Sequence, residues 1–181
     1  MKAVLISIKP QWCDLIATLK RTVEVRKTKL NLKTPFKVYI YCTQDKYVEF
    51  VNHNNWRGNG KVIGEFVCKS TSIFRPKSIA CESSIKKASC LTVRELIDYA
   101  GNKEHIFGWH ISDLVIYDEP KELNEFYGKC NEGCEDCYLW QSVRVNADEF
   151  DMDCASKYYG HIPLKRPPQS WCYVESAAMQ C

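Results

Sequence analysis

The sequence has no long apolar segment, little excess charge and no internal repeat or low-complexity tract. No stretch approaches the roughly 18 apolar residues that a membrane-spanning helix requires, so we expect no membrane partner. The net charge of the 181 residues is only +3, so any nucleic-acid-binding surface would have to be local. The first residues, MKAVLISIKPQW, lack the apolar length and the small-residue cleavage site of a signal peptide. We therefore expect a cytoplasmic protein.

The composition is that of a folded domain. Apolar residues make up 45% of the chain and aromatic residues 12%, which excludes intrinsic disorder. The length suits one domain with a proper core. We predict a single domain at 1–176, with a Cys-rich insertion at 124–166 and a short tail at 177–181. Basic residues prevail between Lys9 and Lys37, and acidic residues prevail between Asp113 and Asp153.

Hydrophobic periodicity indicates a mixed α+β domain. Strands are predicted at AVLISI, RTVEVRK, FKVYIYCT, KVIGEFVCKST and SWCYVES, and two short strands at IFGWHISDLVIYDEP, broken at Ser112-Asp113. Gly64, inside KVIGEFVCKST, indicates a bulge or a close approach of another backbone. Pro10 suits the start of a first helix, and Thr92 with Glu95 forms a capping-box pattern before a second helix that Gly101 ends. Residues 73–90 carry no clear pattern. The order predicts a curved mixed sheet or small β-barrel with two or three short helices.

The insertion contains a cysteine cluster, KCNEGCEDC, with C-x3-C-x2-C spacing. Thiolates held by tight turns begin a structural zinc site, and such a site orders a segment that lacks a hydrophobic pattern. The alternatives are free thiols, a disulfide or another cluster. The spacing also matches the iron–sulfur site of radical enzymes, but the chain is too short for the large barrel that those enzymes require. We predict structural zinc bound by Cys130, Cys134, Cys137 and Cys154, with His161 as the other candidate for the fourth ligand.

A second notable stretch, LKRTVEVRK at residues 19–27, places four basic side chains around Glu24. It is either a charged sheet edge or the floor of a site that binds an anionic group. Strand alternation predicts Glu24 and Arg26 on one face, and Arg21 with the valines on the other. Glu65, in the apolar stretch KVIGEFVC, would need a cationic partner if buried. A Glu24/Glu65 pair near Arg26 or Lys20 is therefore a candidate site with shifted carboxylate pKa values.

LKRTVEVRK, preceded by SIKPQWCDLI and followed by GKVIGEFVC, resembles the ASCH domain of the PUA-like superfamily. The hallmark of that family is G-x-K-x-x-E-x-R. Glu24 and Arg26 match it, whereas Leu19 stands in place of the glycine and Arg21 in place of the lysine. FGWHISDLVIY resembles a later strand of the family. The Cys-rich insert before PPQSWCYVE is similar to small phage or prophage ASCH proteins.

The resemblance implies a barrel-like fold with a cleft under the motif, and RNA or a modified nucleotide as the partner. Basic side chains would contact phosphates and aromatic rings would stack on bases. The predicted nucleic-acid-binding residues are Lys9, Arg21, Arg26, Lys27, Trp56, Arg57, Trp109 and Trp171.

Two alternatives stay open beside the binding module. One ASCH branch hydrolyses the amide of N4-acetylcytidine with a Lys, a Thr and a Glu. These fall at Arg21, Glu24 and Glu65, and an arginine does not act as a general base because it stays protonated. The candidate catalytic residues for that amidohydrolase are Glu24, Glu65, Lys20 and Arg21. The other alternative is an adaptor that binds a protein partner through the acidic, Cys-rich insertion.

Overall fold

The computed structural model describes residues 2–44, 60–77, 82–128 and 162–175. Within these ranges the strands are β1 (Lys2–Ile8), β2 (Val23–Arg26), β3 (Phe36–Cys42), β4 (Lys61–Phe74), β5 (Ile106–Lys121), β6 (Tyr127–Gly128), β7 (Ile162–Pro163) and β8 (Trp171–Glu175). The helices are α1 (Pro10–Ala17), α2 (Glu82–Ser89) and α3 (Val93–Ala100), with a 3-10 turn at Leu123–Glu125. No helix in this part of the chain is both long and apolar enough to cross a membrane.

The strands form one mixed sheet in the order β2-β5-β4-β3-β1-β8-β6-β7. β1 runs parallel to β3, and the other strand pairs are antiparallel. Across the described residues the sheet does not close into a barrel, because β2 and β7 stay at its two ends. The predicted α+β class and curved mixed sheet are confirmed, and the small closed barrel is not formed.

Apolar clusters cover both faces of the sheet, and strand alternation divides the side chains of a strand between the two. In β3, Val38 and Ile40 point into one apolar cluster, while Tyr39 and Tyr41 point into another on the opposite face. A third cluster joins α2 and α3 to Val25 of β2. As a result β2 is buried throughout, and its charged side chains are buried along with its valines.

Local signals fix several element ends. Pro10 occupies the first turn of α1, where its missing N–H costs nothing. Thr92 and Glu95 form the predicted capping box of α3. At the other end of the helix, the backbone N–H of Gly101 donates a hydrogen bond to the Ile97 carbonyl. At Gly64 a Cβ would meet the Val115 carbonyl oxygen, and the β4–β5 register shifts beside it. The glycine therefore permits a close approach of two backbones.

Two sequence expectations are corrected. The predicted break at Ser112-Asp113 does not divide the strand, because β5 runs continuously for 16 residues. Asp113 instead takes a left-handed backbone with φ 49°, and it lies opposite the register shift between Glu65 and Val67, where β5 has one more residue than β4. Helix α2 lies in the stretch that carried no clear sequence pattern.

Candidate functional site

A cleft of ≈ 770 Å³ lies where β1, α1, β2 and α3 meet. Ser7 and Ile8 come from the end of β1, Trp12 from α1, and Tyr99 from α3. Strand β2 supplies Glu24, Val25 and Arg26, and Ser170 precedes β8. The volume lies within the usual range for small-molecule sites.

Three buried charged side chains, which we call the triad, form part of the wall: Arg21, Glu24 and Arg26. Glu24 Oε2 accepts a hydrogen bond from Arg21 Nε at 3.1 Å and pairs with Arg21 Nη2 at 2.9 Å. Glu24 Oε1 lies 3.0 Å from Arg26 Nη2. The three side chains are 4–7% exposed, so the pairs are shielded from water and salt. Strand β2 does lie at an edge of the sheet, but these three side chains are buried, so the interpretation as a solvated charged edge does not hold for them.

Arg26 also ties β2 to distant segments. Its Nη2 donates to the Ser7 carbonyl at 3.0 Å, and its Nη1 donates to the Ser170 carbonyl and hydroxyl, both at 3.2 Å. Strand β2 and strand β1 are not neighbours in the sheet. The reach of one side chain between them shows how strongly the sheet curves.

Arg21 reaches Glu24 from a turn and not from the strand. Leu19 adopts a left-handed backbone with φ 57°, the Arg21 N–H bonds to the Leu15 carbonyl at 2.9 Å, and β2 begins only at Val23. Strand alternation therefore does not apply to Arg21, and its predicted placement on the valine face is wrong. Glycine, which the ASCH motif has where this chain has Leu19, adopts such a left-handed backbone without strain.

Two aromatic rings that the sequence does not predict as site residues line the cleft. The Arg21 guanidinium carbon lies 4.8 Å from the centre of the Trp12 ring, and Lys27 Nζ lies 5.0 Å from the centre of the Tyr99 ring, both within cation–π range. Burial raises the pKa of Tyr99. Trp12 fits the apolar face of its helix and Tyr99 belongs to a capped helix, and no local pattern marks either as a cleft residue.

The cleft mixes charges at its rim. Lys9 and Lys27 are exposed lining residues. Glu95 and Asp98 of α3 also line it. Glu95 is engaged in its helix cap, where Oε2 accepts from the Thr92 N–H at 2.8 Å and from the Thr92 hydroxyl at 2.7 Å, and these bonds lower the pKa of its carboxyl.

Glu65 is not among the residues that line this cleft. Its Oε1 lies 2.8 Å from Lys37 Nζ, and its Oε2 accepts from the Tyr117 hydroxyl at 2.6 Å. Burial alone would raise the pKa of Glu65, but the bonds from Lys37 and Tyr117 outweigh it and leave the pKa lowered. The structure thus gives Glu24 and Glu65 different partners and does not bring them together as a carboxylate pair.

The remaining predicted site residues fall in several places. Lys20 is exposed and does not line the cleft. Trp109 is fully buried and packs edge-on against Phe36 and Trp171, so it presents no face to a base in this structure. Trp171 is partly buried, and its Nε1 donates to the Thr28 hydroxyl at 2.9 Å. The predictions for Trp56, Arg57, Cys130, Cys134, Cys137, Cys154 and His161 lie outside the described residues.

Metal-ligating side chains do not cluster within residues 2–44, 60–77, 82–128 and 162–175. The zinc prediction concerns other residues and stays a prediction.

Solved structures provide the comparison for this fold. No protein-family model matches the chain, and no curated protein matches it. The crystal structure of ASCH from Zymomonas mobilis is similar over 96% of this chain and 87% of that chain, with a TM-score of 0.57 and 18% identity. This chain has the ASCH-domain fold. A serine-to-alanine mutant of the same protein gives a TM-score of 0.58 at 17% identity, over 96% of this chain and 88% of that one. A tyrosine-to-phenylalanine mutant gives 0.56 at 17% identity, over 97% and 91%.

The resemblance of LKRTVEVRK and its flanks to ASCH domains is thereby confirmed at the level of the fold. At this identity the likeness carries the architecture and not the activity. The similarity to phage proteins stays a prediction.

Proposed function

We propose that this ASCH-fold protein binds RNA or a modified nucleotide in the cleft beside the triad. The observation that carries the proposal is the lining of the cleft, where basic side chains stand next to aromatic rings. Lys9 and Lys27 line the rim, where basic side chains can contact phosphates. Trp12 and Tyr99 line the same cleft, and aromatic side chains of this kind stack on bases. The volume of the cleft has room for a ligand of a few nucleotide units at most.

Fluorescence anisotropy with a short labelled single-stranded RNA tests this proposal. The double variant Lys9→Ala/Lys27→Ala removes two rim charges, and we expect about tenfold weaker binding at about 50 mM salt. We also expect the slope of log affinity against log salt to fall by about 1.4, since a single-strand contact contributes about 0.7. The matched control, Lys86→Ala/Lys103→Ala, removes two exposed charges that do not line the cleft. Equal affinities for wild type and both double variants would place RNA binding elsewhere.

Amide hydrolysis of an acylated nucleobase has less support. Glu65 is bonded to Lys37 and Tyr117 and does not line the cleft. Arg21, which stands at the motif lysine, stays protonated and does not serve as a base. We therefore expect no cytidine when the protein is incubated with N4-acetylcytidine. Cytidine release by wild type that is absent from Glu65→Gln would favour the hydrolase over the binding module.

A further inference from the structure

The triad contains donor atoms that no described residue satisfies. Arg21 Nη1 and Arg26 Nε are both buried and have no hydrogen-bond partner within the described residues. Both Glu24 oxygens are already engaged by the two guanidinium groups. The great majority of buried N–H groups in proteins have a hydrogen-bond partner, and a buried group without one destabilises the fold. Both side chains line the cleft, so a ligand bound there is a candidate acceptor for these donors.

The charge of the triad points to the same conclusion. Two guanidinium groups, which stay protonated, surround the single carboxylate of Glu24. An excess buried positive charge is unfavourable unless an anion accompanies it.

The other two carboxylates of the cleft are not bonded to the triad, although the charge of Arg21 adds to the bonds from Thr92 in lowering the pKa of Glu95. Glu95 binds its own helix cap. Asp98 is largely exposed, and its ionic contact is to Arg94 Nε at 3.9 Å. Within the described part of the chain, neither forms an ion pair with Arg21 or Arg26.

We propose that the triad is an anion subsite of the cleft and that it holds the phosphate group of a nucleotide. This inference rests on the proposed function and specifies which part of the ligand the triad recognises. Arginine suits the role because its planar fork presents several donors to phosphate oxygens. Trp12 covers one face of the Arg21 guanidinium and Glu24 holds one edge, so Arg21 is fixed in orientation before a ligand arrives. When donors are already ordered, a ligand binds with a smaller loss of side-chain conformational entropy.

Competition against the labelled RNA separates the phosphate from the rest of the ligand. We expect cytidine 5′-monophosphate to bind at least about tenfold more tightly than cytidine, because charge-assisted hydrogen bonds are the strong ones. In Arg21→Gln this gap should fall below about threefold. In Arg21→Lys, which keeps the charge, it should be intermediate, and in the control Lys103→Ala it should be unchanged. Equal binding of cytidine and its monophosphate by folded wild type would overturn the proposal.

A measurement on wild type removes the dependence on variant folding. The side-chain Nε–H resonance of Arg26, observed by NMR, should shift saturably when inorganic phosphate is added and should not shift with chloride at equal ionic strength. An unchanged Arg26 Nε–H resonance would also overturn the proposal. An RNA pentamer with and without a 5′-phosphate distinguishes the source of the group. If the phosphate raises the affinity of the mononucleotide alone, the subsite binds free nucleotides. If it raises the affinity of the RNA pentamer as well, the subsite also binds the 5′ ends of RNA chains.

The two proposals fail in different ways. If RNA binding depends on Lys9 and Lys27 while the phosphate of cytidine 5′-monophosphate adds nothing, the cleft binds RNA and the anion subsite is wrong. If neither RNA nor cytidine 5′-monophosphate binds, both proposals are wrong.

Discussion

Replacing Glu24 by glutamine should destabilise the protein strongly. The change keeps the size of the side chain but removes the negative charge that pairs with Arg21 and Arg26. A glutamine has one acceptor oxygen and one NH₂ group with two donors, so its NH₂ group would face a guanidinium donor. Removing one partner of a buried ion pair typically costs about 3–5 kcal/mol, a large part of a total stability of about 5–15 kcal/mol.

Urea unfolding followed by tryptophan fluorescence measures this loss. For an m-value of about 2 kcal/mol/M, the midpoint should fall by about 2 M. The matched control is Asp113→Asn, which neutralises a carboxylate paired with Lys69 at 2.8 Å where both side chains are 58% exposed. Asparagine tolerates the left-handed backbone of Asp113, and exposed ion pairs contribute about 1 kcal/mol or less. A loss below about 1 kcal/mol in Glu24→Gln would refute the view that the triad is a buried, charge-coupled unit.

Three further predictions concern other parts of the chain. Leu19→Gly should stabilise the protein by about 0.5–1 kcal/mol, because glycine adopts without strain the left-handed backbone that the largely exposed leucine now holds. Urea unfolding measures this gain in stability. The control Leu19→Ala keeps the strained backbone and should give no gain. Since the pKa of Glu65 is lowered by folding, its stabilisation is present above its unfolded pKa and is lost as pH falls through the folded pKa. Urea midpoints should therefore show a larger cost of Glu65→Gln at about pH 6 than at about pH 3, and equal costs would contradict the ion-pair assignment. Protein prepared without chelators should contain about one equivalent of zinc by elemental analysis, and less than about half an equivalent would count against a site at Cys130, Cys134, Cys137 and Cys154.

The structure is predictable from the sequence where the determining interactions are local. The Thr92/Glu95 capping box and the proline at the start of α1 involve residues a few positions apart, so their patterns are visible in the chain itself. The close approach at Gly64 is also predictable, because a glycine inside an apolar strand often marks a bulge or a neighbouring backbone. These signals, with the strand periodicities, were sufficient for the α+β class.

The composition of the cleft depends on contacts between distant segments, and the sequence does not display them. Arg21 belongs to a turn set by Leu19, so strand alternation assigned it to the wrong face. Trp12 and Tyr99 come to the same cleft only because α1 and α3 pack near β2. Trp109, whose side chain is of a type that stacks well on bases, is fully buried in the core.

The bonds of Arg26 also have a consequence for local unfolding. Three strands separate β2 from β1 in the sheet order, yet Arg26 bonds directly to the Ser7 carbonyl. Opening either strand exposes the same guanidinium, so the backbone amides of β1 and β2 should exchange with deuterium as one cooperative unit. An anion bound beside Arg26 would then slow exchange in both strands together, which makes hydrogen exchange in β1 and β2 a measure of cleft occupancy.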